Sequence, residues 1–121
     1  MAVEPRRVTT PAGVVEHVDD GTGPPVLFVH GSPGGCDQGA LMGGFLRDAG
    51  FRTVALSRPG YLGTPLTEDV ASPESHAALA SGLLDALGID SVRVVCWSGG
   101  GPASYTLAGT EPGRIEALVA I

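Results

Sequence analysis

Val94-Val95-Cys96-Trp97-Ser98-Gly99-Gly100-Gly101-Pro102 joins a short β-branched run to a serine among small residues, with a helix-like segment behind it. A serine on so abrupt a strand-to-helix turn must adopt unfavourable backbone angles, and it crowds its neighbours. The positions two before and two after must therefore be small; here they are Cys96 and Gly100. Such a turn lifts the Ser98 hydroxyl above the sheet. It also aims the Gly99 amide, at a helix start, to where an oxyanion would form. This is the layout of a nucleophile elbow, G-x-S-x-G, with cysteine replacing the first glycine. The plainer alternative is a glycine-rich helix start that merely packs close to a strand.

Upstream, Pro24-Pro25-Val26-Leu27-Phe28-Val29 is apolar throughout and too short for a helix, so it reads as a fully buried strand. It runs into His30-Gly31-Ser32-Pro33-Gly34-Gly35, and a further strand, Val54-Ala55-Leu56, runs into Ser57-Arg58-Pro59-Gly60-Tyr61-Leu62-Gly63-Thr64-Pro65. In order along the chain, these segments resemble the HG-x-P-G loop, the D-x-P-G-x-G-x-S region and the elbow of the α/β-hydrolase fold superfamily, serine-nucleophile type. The resemblance covers nearly the whole chain, with two departures: Ser57 stands where an aspartate is usual, and Leu62 interrupts the Gly-x-Gly spacing. It implies Ser98 as catalytic nucleophile and an oxyanion hole built from the backbone amides of Ser32 and Gly99. Pro33 has no N–H to give. Two such donors are worth on the order of 3–4 kcal/mol each at a developing charge. Serine at position 98 disfavours the aspartate-based dehalogenase and epoxide-hydrolase chemistries of the superfamily. Gly31 and Trp97 are substrate-pocket candidates, with simple packing as the equal alternative for Trp97. His30 is expected to hydrogen-bond the backbone rather than to act as a base.

Working outward, residues 6–10 and 13–19 alternate as two antiparallel strands around Pro11-Ala12-Gly13. Residues 38–49 read as a helix with Leu41, Met42, Phe45, Leu46 and Ala49 on one apolar stripe, stopped by Gly50. Ser72-Pro73-Glu74 is a strong helix start, and that helix runs to Gly88. His76 on it is expected to pack rather than to catalyse. The elbow helix spans 100–109, and a last strand begins at Ile115. Strands separated by helices imply an α/β fold with a mostly parallel sheet, flanking helices and an antiparallel N-terminal hairpin.

The 121 residues suffice for one domain with a core. A net charge of −6 argues against nucleic acid or an anionic membrane surface as partner. Arginines near the N-terminus are followed by no apolar segment, so no secretory signal is read and a cytoplasmic location is expected. The two cysteines, Cys36 and Cys96, suggest neither a disulfide framework nor a metal site; they are expected as free, buried thiols near one sheet end. No metal and no cofactor are implied.

A serine hydrolase needs a base and an acid that orients it. In the superfamily the order is serine, acid, histidine, whereas His17, His30 and His76 all precede Ser98. The chain also closes on an apolar strand, an unprotected edge in a complete domain, at half the roughly 200–250 residues related domains often need. Residues 1–121 are therefore expected to be an incomplete α/β-hydrolase domain, strands one to six with the first three helices. Later strands, lid, acid and histidine are expected from a further C-terminal segment or a complementing chain. The expected function is hydrolysis of an ester or related acyl small molecule, with the 121 residues alone inactive; perhydrolase and peptidase activity stay open. A non-catalytic binding module of the same fold is the rival. A dinucleotide-binding domain is the weakest reading, because no G-x-G-x-x-G follows either strand.

Overall fold

The computed structural model describes residues 4–32, 34–68 and 71–121. Pro33, read as the amide-less loop residue, and residues 1–3, where no signal was read, lie outside the described residues. The β-branched and apolar runs form strands where the pattern places them: Arg6–Thr10 (β1), Gly13–Asp20 (β2), Pro25–Val29 (β3), Arg52–Leu56 (β4), Val92–Cys96 (β5) and Ile115–Ala120 (β6). They make one sheet in the order β1-β2-β4-β3-β5-β6. β3 pairs in parallel with β4 and β5, and β5 with β6, while β2 runs antiparallel to β1 and β4. Val29 lies opposite both Leu56 and Cys96. The carboxyl ends of the three central strands are thus flush, and their loops emerge together, where open α/β sheets bind ligands.

Residues alternate between two apolar layers. Leu27, Val29, Val54, Leu56, Val92, Val94 and Cys96 share one cluster with the leucines of helices Pro73–Ala86 (α3) and Gly101–Thr110 (α4). Val26, Phe28 and Ala55 form the other with Cys36 of helix Cys36–Met42 (α1). α3 starts where its sequence says. The Ser72 side chain accepts from the Ser75 amide, Ser75 reciprocates on the Ser72 backbone, and Pro73 opens the first turn. Gly88, at φ 70, follows the helix end.

The helix expected over 38–49 is instead two short ones, α1 and Gly44–Asp48 (α2), parted at Gly43. Most of the expected stripe does not face the core: Leu41 is 83% exposed and Phe45 71%, while Leu46 alone of its large residues packs against the second cluster. The reason lies in the glycines. A Cβ on Gly39 would stand 2.8 Å from Ala55 Cβ and 2.9 Å from Phe28 Cβ, and one on Gly43 2.9 Å from Phe28 Cε2. The glycine face lets the backbone approach the sheet more closely than a leucine stripe could, and it turns the large side chains outward. The elbow helix also differs in its start: a 3-10 turn, Ser98–Gly100, precedes α4.

Candidate active site

Ser98 has φ 50, a left-handed backbone angle that L-residues rarely adopt, and it is exposed. Such a conformation is disfavoured by about 1–3 kcal/mol and persists only where its surroundings impose it. Gly100 is the main constraint, since a Cβ there would lie 2.3 Å from the Val29 carbonyl oxygen and 2.7 Å from that of His30. The chain therefore turns directly over the end of β3. Ser104 Oγ donates to the Gly100 carbonyl at 2.8 Å and ties the turn to α4. Cys96 is completely buried, its side chain joining the α3–α4 cluster, so the larger residue at the first glycine position is taken up by the core.

The loop after β3 meets this bend. A Cβ on Gly31 would lie 2.8 Å from Ser98 Cβ and 2.9 Å from Trp97 Cδ1, so glycine at 31 sets the spacing between loop and serine. The structure thereby brings Gly31, Trp97 and Ser98 together. Trp97 is half-buried, packs against the α1-side cluster, and donates from Nε1 to Gln38 Oε1 at 3.2 Å; packing accounts for much of its role.

His30 is fully buried. Its Nε2 accepts from the Arg58 amide at 2.8 Å, which makes Nδ1 the donor to the Gly31 carbonyl at 2.7 Å. Both ring nitrogens are thus committed to backbone, as expected, and burial holds its pKa below the ordinary histidine value. His30 staples the first loop to the loop after β4. Sequence reasoning missed the two residues of that second loop which complete the site, Arg58 and Tyr61. Arg58 Nε donates to the His30 carbonyl at 2.8 Å and Nη2 to Ser32 Oγ at 3.1 Å. The guanidinium lies 4.8 Å from the Tyr61 ring centroid. A Cβ on Gly99 would meet Nη2 at 2.9 Å, so the cation sits against the elbow backbone. The Tyr61 hydroxyl hydrogen-bonds Ser32 Oγ, and this bond, then the Arg58 charge, brings the phenol below its usual range. No short-range pattern announces such contacts, because their partners are 26–29 residues apart.

A carboxylate orders the second loop. Ser57, where the resemblance leads one to expect an aspartate, donates to Glu16 Oε1 at 2.9 Å; the Gly63 amide donates to the same oxygen at 3.0 Å. Glu16 also returns a bond from its amide to Thr64 Oγ1 at 2.8 Å. β2 thus supplies the acid that position 57 lacks. Leu62 keeps φ 47, and a Cβ on Gly35 would lie 2.3 Å from its Cδ1, so the residue that interrupts the glycine spacing is accommodated by a glycine in the first loop.

His17 is buried within β2 and its pKa is lowered by that burial. His76 is half-buried on α3, lining a crevice with Arg58, Leu79 and Ser104. Cys36 and Cys96 are free and buried as expected, but on opposite faces of the sheet. Burial raises the Cys36 pKa, which keeps it a thiol. Among the described residues, no group of three or more His, Cys, Asp or Glu side chains is placed to hold a metal ion, and no helix is long and apolar enough to cross a membrane.

Comparison with known proteins agrees with the fold. A family model described as the alpha/beta hydrolase fold matches residues 24–121. Haloalkane dehalogenase 2 of Mycobacterium tuberculosis is 33% identical over 120 residues, 96% of this chain and 41% of that protein. Epoxide hydrolase 2 of Siraitia grosvenorii is 34% identical over 110 residues, 88% of this chain and 35% of that protein. Among solved structures, an alpha/beta hydrolase fold protein from Nakamurella multipartita superposes with a TM-score of 0.92 at 49% identity, covering 98% of this chain and 40% of that one. The chain spans about two fifths of the length of these relatives.

Proposed function

Given that the chain belongs to the α/β hydrolase fold family, we propose that it carries the nucleophile half of a serine hydrolase acting on an ester or related acyl substrate. The observation that carries this reading is the exposed serine at φ 50, on the bend above the flush strand ends and against Gly31. Ser98 Oγ attacks the carbonyl carbon, and the carbonyl π electrons move onto oxygen. The amides of Ser32 and Gly99 receive that charge. A base takes the serine proton and returns it to the leaving alcohol, and water then releases the acyl group. His30 does not serve as that base, because neither ring nitrogen is free. We assign base and acid to a further C-terminal segment or a complementing chain. Serine at 98 supports acyl chemistry over the dehalogenation and epoxide opening for which the relatives are named.

Hydrolysis of p-nitrophenyl butyrate by a form of the protein extended to its relatives' length tests the reading. Ser98→Ala should lower the rate on the order of a millionfold, and the 121 residues alone should show negligible turnover. Activity that survives Ser98→Ala overturns the assignment. An extended, folded protein with no activity at all would favour the binding-module reading instead.

A further inference from the structure

With histidine counted neutral, seven cationic side chains serve a chain of net charge −6, and every one is arginine. Arg47, Arg52, Arg93 and Arg114 each pair with a carboxylate, while Arg6 and Arg7 are exposed on β1. Arg58 differs from all of them. It is only 9% exposed, yet among the described residues no carboxylate lies within ion-pair distance. The oxygens that face it, the His30 carbonyl, Ser32 Oγ and the Tyr61 hydroxyl, belong to groups without a formal charge, and the Tyr61 ring gives only partial compensation. A guanidinium withdrawn from water without a counter-charge is unfavourable unless an anion reaches it. Its location is specific: Nη2 bonds Ser32 Oγ and occupies the space a side chain at Gly99 would take, beside the two residues that flank the proposed oxyanion.

We propose that Arg58, with the hydroxyls of Ser32 and Tyr61, forms a carboxylate-binding subsite beside the Ser98 bend, and that the substrate is an acyl compound carrying a free carboxylate, such as the half-ester of a dicarboxylic acid. The planar donor fork suits a carboxylate, and the Ser32–Tyr61 hydroxyl pair, one of whose protons bridges the two oxygens, keeps one further donor for its rim. The proposal deepens the acyl-hydrolase reading and rests on it for the identity of the reacting group, but the anion contact itself needs no chemistry at Ser98.

Monomethyl succinate and its neutral counterpart dimethyl succinate, titrated separately into the isotopically labelled 121-residue chain at neutral pH, separate the two ideas. The monoester should shift the Gly99 amide and Arg58 Nε–H resonances saturably, and the diester should bind at least about tenfold more weakly, as expected for loss of a charge-assisted contact. Arg58→Met should abolish the preference. Arg58→Lys, which keeps the charge and loses the fork, should retain part of it. Spectral dispersion reports whether each variant folds, and the two-ligand comparison in the unaltered protein decides the matter even if neither does. Equal binding of monoester and diester, or a preference intact in Arg58→Met, overturns the subsite. If the monoester preference holds while the extended protein proves inactive, the subsite stands and the hydrolase reading alone fails.

Discussion

On one face of the sheet, Leu79, Leu83, Leu84 and Leu107 of α3 and α4 share a cluster with Leu27, Val54, Val92 and Val94. On the other, α1 approaches Phe28 and Ala55 through Gly39, and Leu41 of α1 and Phe45 of α2 stay in solvent. The first interface draws its strength from apolar area, at about 25 cal/mol per Å² removed from water. The second draws on closeness and buries a smaller cluster, Val18, Val26, Phe28, Cys36 and Ala55. The helix ends repeat the contrast: α3 is closed by a reciprocal serine cap, and neither α1 nor α2 has a side-chain cap. The lesson is that two helix–sheet interfaces in one fold can be built on opposite rules, so the same kind of substitution should have different consequences on each.

Leu84→Ala, on the leucine face, should have the largest effect. Leu84 is fully buried, so the loss of apolar contact and the cavity left behind should cost about 3 kcal/mol, read as a lower urea midpoint. A loss under about 1 kcal/mol would show that this face is not the stability-bearing one. Gly39→Ala should come next, although alanine is the better helix former by about 1 kcal/mol. The new methyl meets Cβ atoms that cannot swing aside, and overpacking of about 2–3 kcal/mol should leave a net loss of about 1–2. Stabilisation by this change would mean the close approach is not tight. Ser72→Ala removes the cap on α3 and should lower the thermal midpoint by the equivalent of about 1 kcal/mol. Last, Phe45→Ser should alter stability by less than about 0.5 kcal/mol in the same denaturation assay, since that ring is mostly in water already. A large loss there would restore the leucine-stripe picture.

These differences also explain which parts of the molecule could be read in its sequence. Strands β3 and β5, the hairpin and α3 carry their signals locally: unbroken β-branched runs, a turn at Pro11-Ala12-Gly13, and Ser72-Pro73 ahead of a leucine pattern. The stripe through Leu41 and Phe45 was equally regular, yet misleading. Periodicity reports only which residues share a face, and here the buried face belonged to the glycines, whose value lies in what they lack. At the site, the elbow was legible because Ser98 and Gly100 satisfy a steric rule within five residues. Arg58, Tyr61 and Glu16 were not, because each acquires its role from partners more than twenty-five residues away.

The turn at position 98 has an evolutionary cost. A residue without a side chain would occupy that backbone geometry with less strain, so drift toward a sturdier fold runs through loss of the hydroxyl. Selection for durability and selection for reactivity pull this one codon in opposite directions. Persistence of serine there, in lineages free to relax it, would itself be a record of use.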